Sequence, residues 1–393
     1  MKHRLILFFL IGIDAFVLLY QVPELSISYS ESKILYSDFS TLQFLVNTSL
    51  NIFGNNDYAL RFTMMLFHLS SVFLLYKISK RYIKNYRDRL WLILMFIMLP
   101  GIVSSALIIN SAGLILFGLL LFVYLTPKVS QMYLSILLFV LSIADQGFLY
   151  LFLGLSIYYI FQKKNPLFIY TILLAGVNIF LYGLDVGGIP KGHFLDTVGV
   201  YSAILTPIIF IYLFYNLYRR YLTNTTDIVW YISSTALIFS LLLSLRQQVS
   251  LEHFAPYLII SLPLAAQTFI RSYRIRLKMF RTGYRAAFTI SFIVLFINTV
   301  VVMFNKELYR VIEKPTKHFA YDMHVAKELS QVLKGKDITC VMTDEKMQLR
   351  LRYYGISKCQ VHVLKEKDIN PNVTISYKSK ILYSASVTKI YNK

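Results

Sequence analysis

Acids, cysteine and tryptophan are scarce in this chain: among 393 residues there are 20 Asp and Glu, two Cys and two Trp. The sequence also lacks a G-x-x-x-x-G-K-[ST] phosphate loop, an H-E-x-x-H pair, a G-x-S-x-G elbow and cysteine pairs at zinc spacing. An ATP-driven pump, a membrane metalloprotease and a serine hydrolase therefore have no support. Charged residues make up only 15% of the chain, whereas 56% are hydrophobic and the mean hydropathy is +0.57. That balance cannot clothe a water-soluble surface of this size.

What the chain has instead is long apolar runs. Eleven are long enough to be read as crossings of a hydrocarbon core of about 30 Å, near 4–22, 58–76, 90–107, 110–126, 131–145, 147–162, 166–184, 199–218, 228–245, 254–270 and 286–304. The first has no small-residue cleavage site behind it and ten more follow, so it reads as a retained helix rather than a secretory signal. The fold class expected is an all-α polytopic membrane protein of about eleven transmembrane helices, residues 1–304. A small C-terminal domain, 305–393, completes it.

Lys and Arg set the expected orientation. With a cytoplasmic N-terminus, the inside loops "MKHR", 77–89, Lys128, "KK" at 163–164, "RR" at 219–220 and 271–285 carry 19 of them, against four at Lys33, Arg61, Lys191 and Arg246 outside. The net charge of +20 is then mostly membrane topology, and no nucleic-acid partner is implied. The polar segments "SISYSESKILYSDF" (26–39), "INSAG" (109–113), "ADQG" (144–147), "LDVGGIPKGHFLD" (184–196) and "RQQVSLEHFAPY" (246–257) all fall outside, as does the tail.

The tail changes pattern. "DMHVAKELSQVLKG" has helical spacing, "ITCVMT" is strand-like, "DEKMQLRLRYYG" helical, and "QVHVL" and "ILYSASVTKIY" strand-like. This predicts a small α/β domain. It holds both cysteines, Cys340 and Cys359, which either pair in an oxidising compartment or stay as a free buried pair.

Residues 41–61, "TLQFLVNTSLNIFGNNDYALR", alternate apolar and polar positions as an amphipathic interfacial helix does, with Gly54 closing it. An acid-bearing first outer loop, this helix, and "FGNNDYALR" entering the second span together resemble the membrane-embedded GT-C glycosyltransferases of the protein O-mannosyltransferase and aminoarabinose-transferase type. "YSESK" resembles the family's acidic element, with Glu31 at the Glu and Ser30 where an Asp is common. "IINSAGLILF" resembles the element that opens the fourth span, with Asn110 and Ser111 replacing Pro and Asp. "SIADQGFLYLFLG" resembles a turn in which Asp145 and Gln146 replace a basic pair. "EHFAPYLIISLPLA" resembles the tenth-span element, with His253 at the basic position and Tyr257 at the tyrosine.

The resemblance implies transfer of a sugar from a polyprenyl-phosphate carrier to an envelope glycan, lipid or protein at the outer face of a bacterial inner membrane. Such chemistry needs a carboxylate near the acceptor, as general base or as ligand of a divalent metal ion. It also needs groups that hold the departing lipid phosphate. Glu31 is the expected catalytic acid and possible metal ligand, and Asp38 is a second candidate that capping also explains. Arg246, His253 and Tyr257 are the expected phosphate-binding residues. Asp145, His193 and Asp196 are candidates for lining the site.

Two other readings share this topology: a transporter or flippase, and a noncatalytic component of envelope glycan assembly. Transporters place ionisable groups at mid-membrane, whereas here the spans are mostly uncharged at mid-depth and polar residues gather on one face. The charge argument predicts that a reporter active only outside the cytoplasm is active when fused after Lys393 and silent after Arg220. The opposite pattern overturns the orientation.

Overall fold

The structure, a computed structural model, describes residues 2–36, 39–184, 191–366 and 371–389. The chain forms two compact units. One comprises Met1–Phe16, Ser40–Leu42 and Thr63–Thr299, and the other Val17–Phe39, Gln43–Phe62 and Val300–Lys393. The tail thus belongs with two N-terminal stretches that the sequence alone groups with the membrane domain. In chain order the helices are α1 (Lys2–Gln21), α2 (Tyr29–Tyr36), α3 (Thr41–Phe53), α4 (Asp57–Tyr82), α5 (Tyr86–Ile97), α6 (Pro100–Leu107), α7 (Ser111–Leu125), α8 (Gln131–Ala144) and α9 (Leu149–Phe161). There follow α10 (Asn165–Tyr182), α11 (Phe194–Leu205), α12 (Pro207–Leu222), α13 (Ile228–Ser244), α14 (Ala255–Ile259), α15 (Leu262–Ile275), α16 (Arg281–Met303), α17 (Ala326–Lys334) and α18 (Glu345–Tyr353).

Each expected apolar run coincides with a helix or a helix pair, but not every one of the eleven is matched by a helix long enough to cross a membrane. Among the described residues, four helical stretches, Leu5–Glu24, Asp57–Tyr82, Asn165–Tyr182 and Lys278–Met303, are long and apolar enough to span a membrane. The number rises to six if the bent pairs α5–α6 and α11–α12 each count once. The apolar helices α7, α8, α9 and α13 have 15, 14, 13 and 17 residues, and at about 1.5 Å per residue they fall short of a hydrocarbon core of about 30 Å. Run length in the sequence counts apolar loop and cap residues that do not extend the helix.

Proline sets the two bends, of 61° and 106°. Pro100 and Pro207 begin α6 and α12, where a missing N–H costs nothing. Before the first bend, the Met98 carbonyl accepts a bond from the Thr299 hydroxyl at 2.5 Å. At the second, buried Thr206 takes φ +68°, a strained conformation for a β-branched residue. Close packing appears where Gly154 of α9 meets α13: a Cβ there would lie 2.9 Å from Ile232 Cα. Both tryptophans sit in this unit, Trp91 edge-on to Phe288 and Phe292, and Trp230 donating from Nε1 to the Leu217 carbonyl at 2.8 Å.

One buried polar pair departs from the expectation of uncharged spans. Asp14 of α1 and His68 of α4 meet at 2.6 Å with both side chains buried. A hydrogen-bonded pair in apolar surroundings fixes two helices in register, because neither group finds another partner in lipid.

The second unit has its own core of Leu329, Leu333, Val341, Leu351, Val373, Tyr383 and neighbours. Strands β1 (His362–Glu366), β2 (Val373–Tyr377) and β3 (Lys380–Lys389) form an antiparallel sheet in the order β1-β3-β2. Helix α18 starts where Asp344 accepts from the Met347 N–H at 3.0 Å and ends on Arg350 and Arg352, matching the helix dipole. The "ITCVMT" segment makes only isolated bridges, Cys340 to Ser357 and Met342 to Val363, instead of the expected strand. Cys340 and Cys359 form a disulfide with Cα atoms 5.4 Å apart. Helix α3 appears where the amphipathic pattern puts it, and Gly54 follows at φ +80°, a conformation that favours glycine.

If Asp14 and His68 pin α1 to α4, Asp14→Asn lowers the thermal midpoint of the detergent-solubilised protein by the equivalent of about 1–2 kcal/mol. The double replacement Asp14→Leu with His68→Leu recovers part of the loss, since no unpaired polar group is left behind. An unchanged midpoint in Asp14→Asn overturns the assignment.

Candidate functional site

In the second unit, Glu31 takes part in the cap that begins α2. Ser28 precedes α2, and its Oγ accepts from the Glu31 N–H at 3.2 Å while Glu31 Oε2 accepts from the Ser28 N–H at 2.8 Å. This reciprocal arrangement is a capping box, spelled S-x-x-E in "SYSE". Arg61, in the first turns of α4, donates to the carbonyls of Val22, Leu25 and Ser26 at 3.1–3.2 Å, and its Nη2 lies 3.8 Å from Glu31 Oε2. Both side chains have zero exposure. A carboxylate capped by a backbone N–H, facing a guanidinium and closed to solvent is not placed to meet an acceptor. Glu31, expected to be the catalytic acid and a possible metal ligand, is buried in this geometry beside Arg61.

Around the same segment, the Tyr354 hydroxyl accepts from the Ile27 N–H at 2.9 Å and lies 3.4 Å from Asp57, which pairs with Lys327 at 2.7 Å. Burial first, and Asp57 next, hold the Tyr354 hydroxyl far above its ordinary range. Asp38 lies outside the described residues. Among the described residues, the one trio with metal-like spacing is Cys340, Cys359 and His362. Its two sulfurs are spent in the disulfide.

In the first unit, two carboxylates converge on the head of α7. Asn110 caps that helix, accepting from the Gly113 N–H at 3.2 Å. The next residue, Ser111, donates its hydroxyl to Asp145 Oδ2 at 2.7 Å, and its backbone N–H bonds the Glu252 carboxylate. Asp145 also accepts from the Gly147 N–H at 2.8 Å, and its carbonyl takes a 3.0 Å bond from fully buried Asn178. Glu252 is open to solvent, yet the protein massed around it raises its carboxyl above the usual value. His253 opposes that shift and Asp145 adds to it. An accessible acid with a raised pKa beside a second carboxylate has the properties of a group that takes up and returns protons.

Sequence reasoning singled out Asp145 and passed over Glu252 for its neighbour His253. The missed signal was an acid placed just before a span, in a loop otherwise rich in Gln, Ser and Arg. Ser111 stands where the resemblance expects an acid, and the Asp145 and Glu252 carboxylates bond it from other loops.

The other candidates separate. Tyr257 has zero exposure, and its hydroxyl donates to the Gly147 carbonyl at 2.7 Å and accepts from the Leu151 N–H at 3.0 Å. It pins the turn that presents Asp145, so this residue, expected to bind phosphate, spends its hydroxyl on the backbone of that turn. Arg246 is exposed and its carbonyl accepts from the Lys191 N–H at 3.0 Å, while His193 sits beside that loop through a 2.8 Å bond to the Ser244 carbonyl. His193 Nδ1 meets Asp196 at 3.0 Å on the surface, an i,i+3 pair at the start of α11.

No family model matches the sequence, and no curated protein sequence matches it. Solved structures do. ArnT from Cupriavidus metallidurans in the apo state superposes with a TM-score of 0.60 at 11% identity, covering 98% of each chain. The same protein bound to undecaprenyl phosphate gives 0.56 at 10% identity over 96% of each. At such identities the likeness concerns the fold, and the chain has the ArnT fold along nearly its whole length, as the GT-C resemblance implies.

Neutralising Glu31 takes an anionic partner away from buried Arg61. Glu31→Gln is expected to destabilise the protein by about 3 kcal/mol or more, and Ser28→Ala by about 1 kcal/mol, both read as lowered melting midpoints in detergent. A Glu31→Gln protein that melts like the wild type overturns the structural assignment.

Proposed function

We propose that the protein is a membrane glycosyltransferase that moves a sugar from a polyprenyl-phosphate carrier to an envelope glycan, lipid or protein acceptor at the outer face of the inner membrane. The observation that carries the reading is the convergence of Asp145 and Glu252 on Ser111, in a chain whose fold follows ArnT from end to end. That ArnT is seen with undecaprenyl phosphate supports the choice of donor.

In this reading Glu252 takes the proton of the acceptor hydroxyl as that oxygen forms its bond to the sugar C1. The bond from C1 to the carrier phosphate breaks, and its electron pair leaves on the phosphate oxygen. Asp145, fixed by Ser111 and Gly147, keeps a second negative charge nearby, so the Glu252 carboxyl holds its proton more readily once it has it. Arg246 and His253 supply cationic or hydrogen-bonding contacts to the departing phosphate. Tyr257 and Asn178 act at one remove, holding the Asp145 turn in place.

Glu252→Gln keeps shape and most hydrogen bonding but cannot accept a proton. Transfer from a purified polyprenyl-phosphate sugar is expected to fall by about 10²-fold, with membrane insertion and melting unchanged. Wild-type activity should rise with pH along an acid limb lying above the ordinary Glu range near 4.3, because the raised carboxyl must first lose its proton. That limb should vanish in Glu252→Gln. Equal rates in the two proteins remove Glu252 from the reaction. Envelope glycans and lipid A left identical by mass spectrometry after gene loss turn the weight to the noncatalytic or transport readings.

A further inference from the structure

Between α15 and α16 the first unit turns through "RSYRIRLKMFRTGYR", residues 271–285, which hold six Lys and Arg and no acid. Charge of that sign is what one face of a membrane protein carries. The charge rule does not explain the apolar side chains set between the cations. Ile275, Leu277, Met279 and Phe280 are all more than half exposed, Ile275 at 84%. They lie after the apolar run that ends near 270 and before the one that starts near 286, so spanning the hydrocarbon core does not account for them. Exposed apolar side chains grouped among polar ones mark an interaction or membrane site.

The backbone of this segment is held in place. Helix α15 ends at Ile275, Arg276 and Leu277 are extended, and one tight helical turn, Lys278–Phe280, leads into α16. Arg281 folds back across it, donating from Nε to the Arg276 carbonyl at 2.8 Å and from Nη2 to the Arg274 carbonyl at 3.0 Å. Carbonyls that the end of α15 leaves without partners are satisfied in that way. Arg285 donates to the Tyr273 hydroxyl at 2.9 Å, and the Arg276 guanidinium lies over the Tyr284 ring. Tyrosine favours the headgroup level of a bilayer, with its ring in apolar surroundings and its hydroxyl wet. Two of them flank the turn and set it at that depth.

The charges are unevenly spent. Arg274 pairs with Asp88 of α5, and Arg281 and Arg285 bond groups of the turn itself. Arg271, Arg276 and Lys278 are exposed, and among the described residues no carboxylate lies within ion-pair reach of them. Through Asp88 the turn also meets the other large basic loop, 77–89, where six Lys and Arg stand against that one acid. Such a surplus attracts an anion, and the interleaved apolar side chains call for an anion carried on an apolar body. An anionic phospholipid is both. Free phosphate would leave the apolar side chains in water, and a zwitterionic lipid would leave the charge unmatched.

We infer that residues 271–285 form a docking surface for anionic phospholipid. Leu277, Met279 and Phe280 enter the boundary between headgroups and acyl chains, and Arg271, Arg276 and Lys278 gather negative headgroups around them. The inference depends neither on sugar transfer nor on which leaflet the turn meets.

The two native cysteines are joined in a disulfide, so Met279→Cys gives the full-length protein one thiol for an environment-sensitive dye. The labelled protein is reconstituted in phosphatidylcholine vesicles that carry a small, equal fraction of either phosphatidylglycerol or phosphatidylcholine bearing a nitroxide high on the acyl chain. The dye should be shielded from acrylamide in the water, and the phosphatidylglycerol nitroxide should quench it more strongly than the phosphatidylcholine one. Arg271→Gln with Lys278→Gln should cut that preference about fivefold or more at an unchanged melting midpoint. High salt should weaken the preference in the parent protein and leave the depth of the dye as it was, which decides the matter if the double replacement fails to fold. Leu277→Ser with Phe280→Ser should open the dye to acrylamide. Equal quenching by the two labelled lipids, or a preference that survives both the double replacement and high salt, overturns the inference. A dye open to acrylamide in the parent protein overturns it too, and leaves the turn as a surface for an acidic protein.

Discussion

A single guanidinium organises the second unit. Residues 22–28 run without a helix or ladder long enough to satisfy their own backbone, and a buried carbonyl left alone is costly. Arg61 answers three of those carbonyls at once with its rigid fork of donors, and Glu31 offsets the charge that this brings inside. The Ser26 N–H is tied in turn to the Met323 carbonyl, and the Ile27 N–H to Tyr354. The start of α2 and the seat of α18 both inherit their positions from that one side chain.

The first unit solves a related problem with opposite means. Helix ends there present N–H groups that lack intrahelical partners. Ser111, Gly147 and their neighbours give those donors to Asp145 and Glu252. Where Arg61 faces its acid inside the protein, Asp145 raises the Glu252 carboxyl against the opposing pull of His253. A buried ion pair holds shape, whereas an accessible pair of like charges stores reactivity. The contrast is why Glu31 reads as architecture and, under the proposed function, the pair at α7 as chemistry.

Much of the architecture was legible because apolar run length and spacing are local properties. The eleven runs, the amphipathic α3, the Gly54 stop and the helices α17 and α18 all fall where the pattern puts them. The length of each helix was less legible, since Pro100, Pro207 and short helices such as α8 break or shorten runs without changing their hydropathy. "ITCVMT" misled because strand propensity does not supply a partner strand. For the site, Asp145 stood out, but the convergence of Glu252 and Ser111 joins residues 141 positions apart, a proximity that no spacing rule encodes. At Glu31 the capping role was legible but passed over. The S-x-x-E signature lay in plain view, and family-like placement outweighed it, although the departing residue at Ser30 had already weakened the acidic element.

The placement of the tryptophans has a spectroscopic consequence. Both emit from one unit: Trp91 among Phe288 and Phe292, and Trp230 bonded to Leu217. The other unit, with its sheet and its disulfide, holds tyrosine but no tryptophan. Excited at the red edge, where tyrosine does not absorb, the native protein therefore shows the state of the helical bundle and is dark to the tail. An unfolding curve followed by that emission and one followed by backbone dichroism need not coincide, and their separation measures how independently the two units hold together.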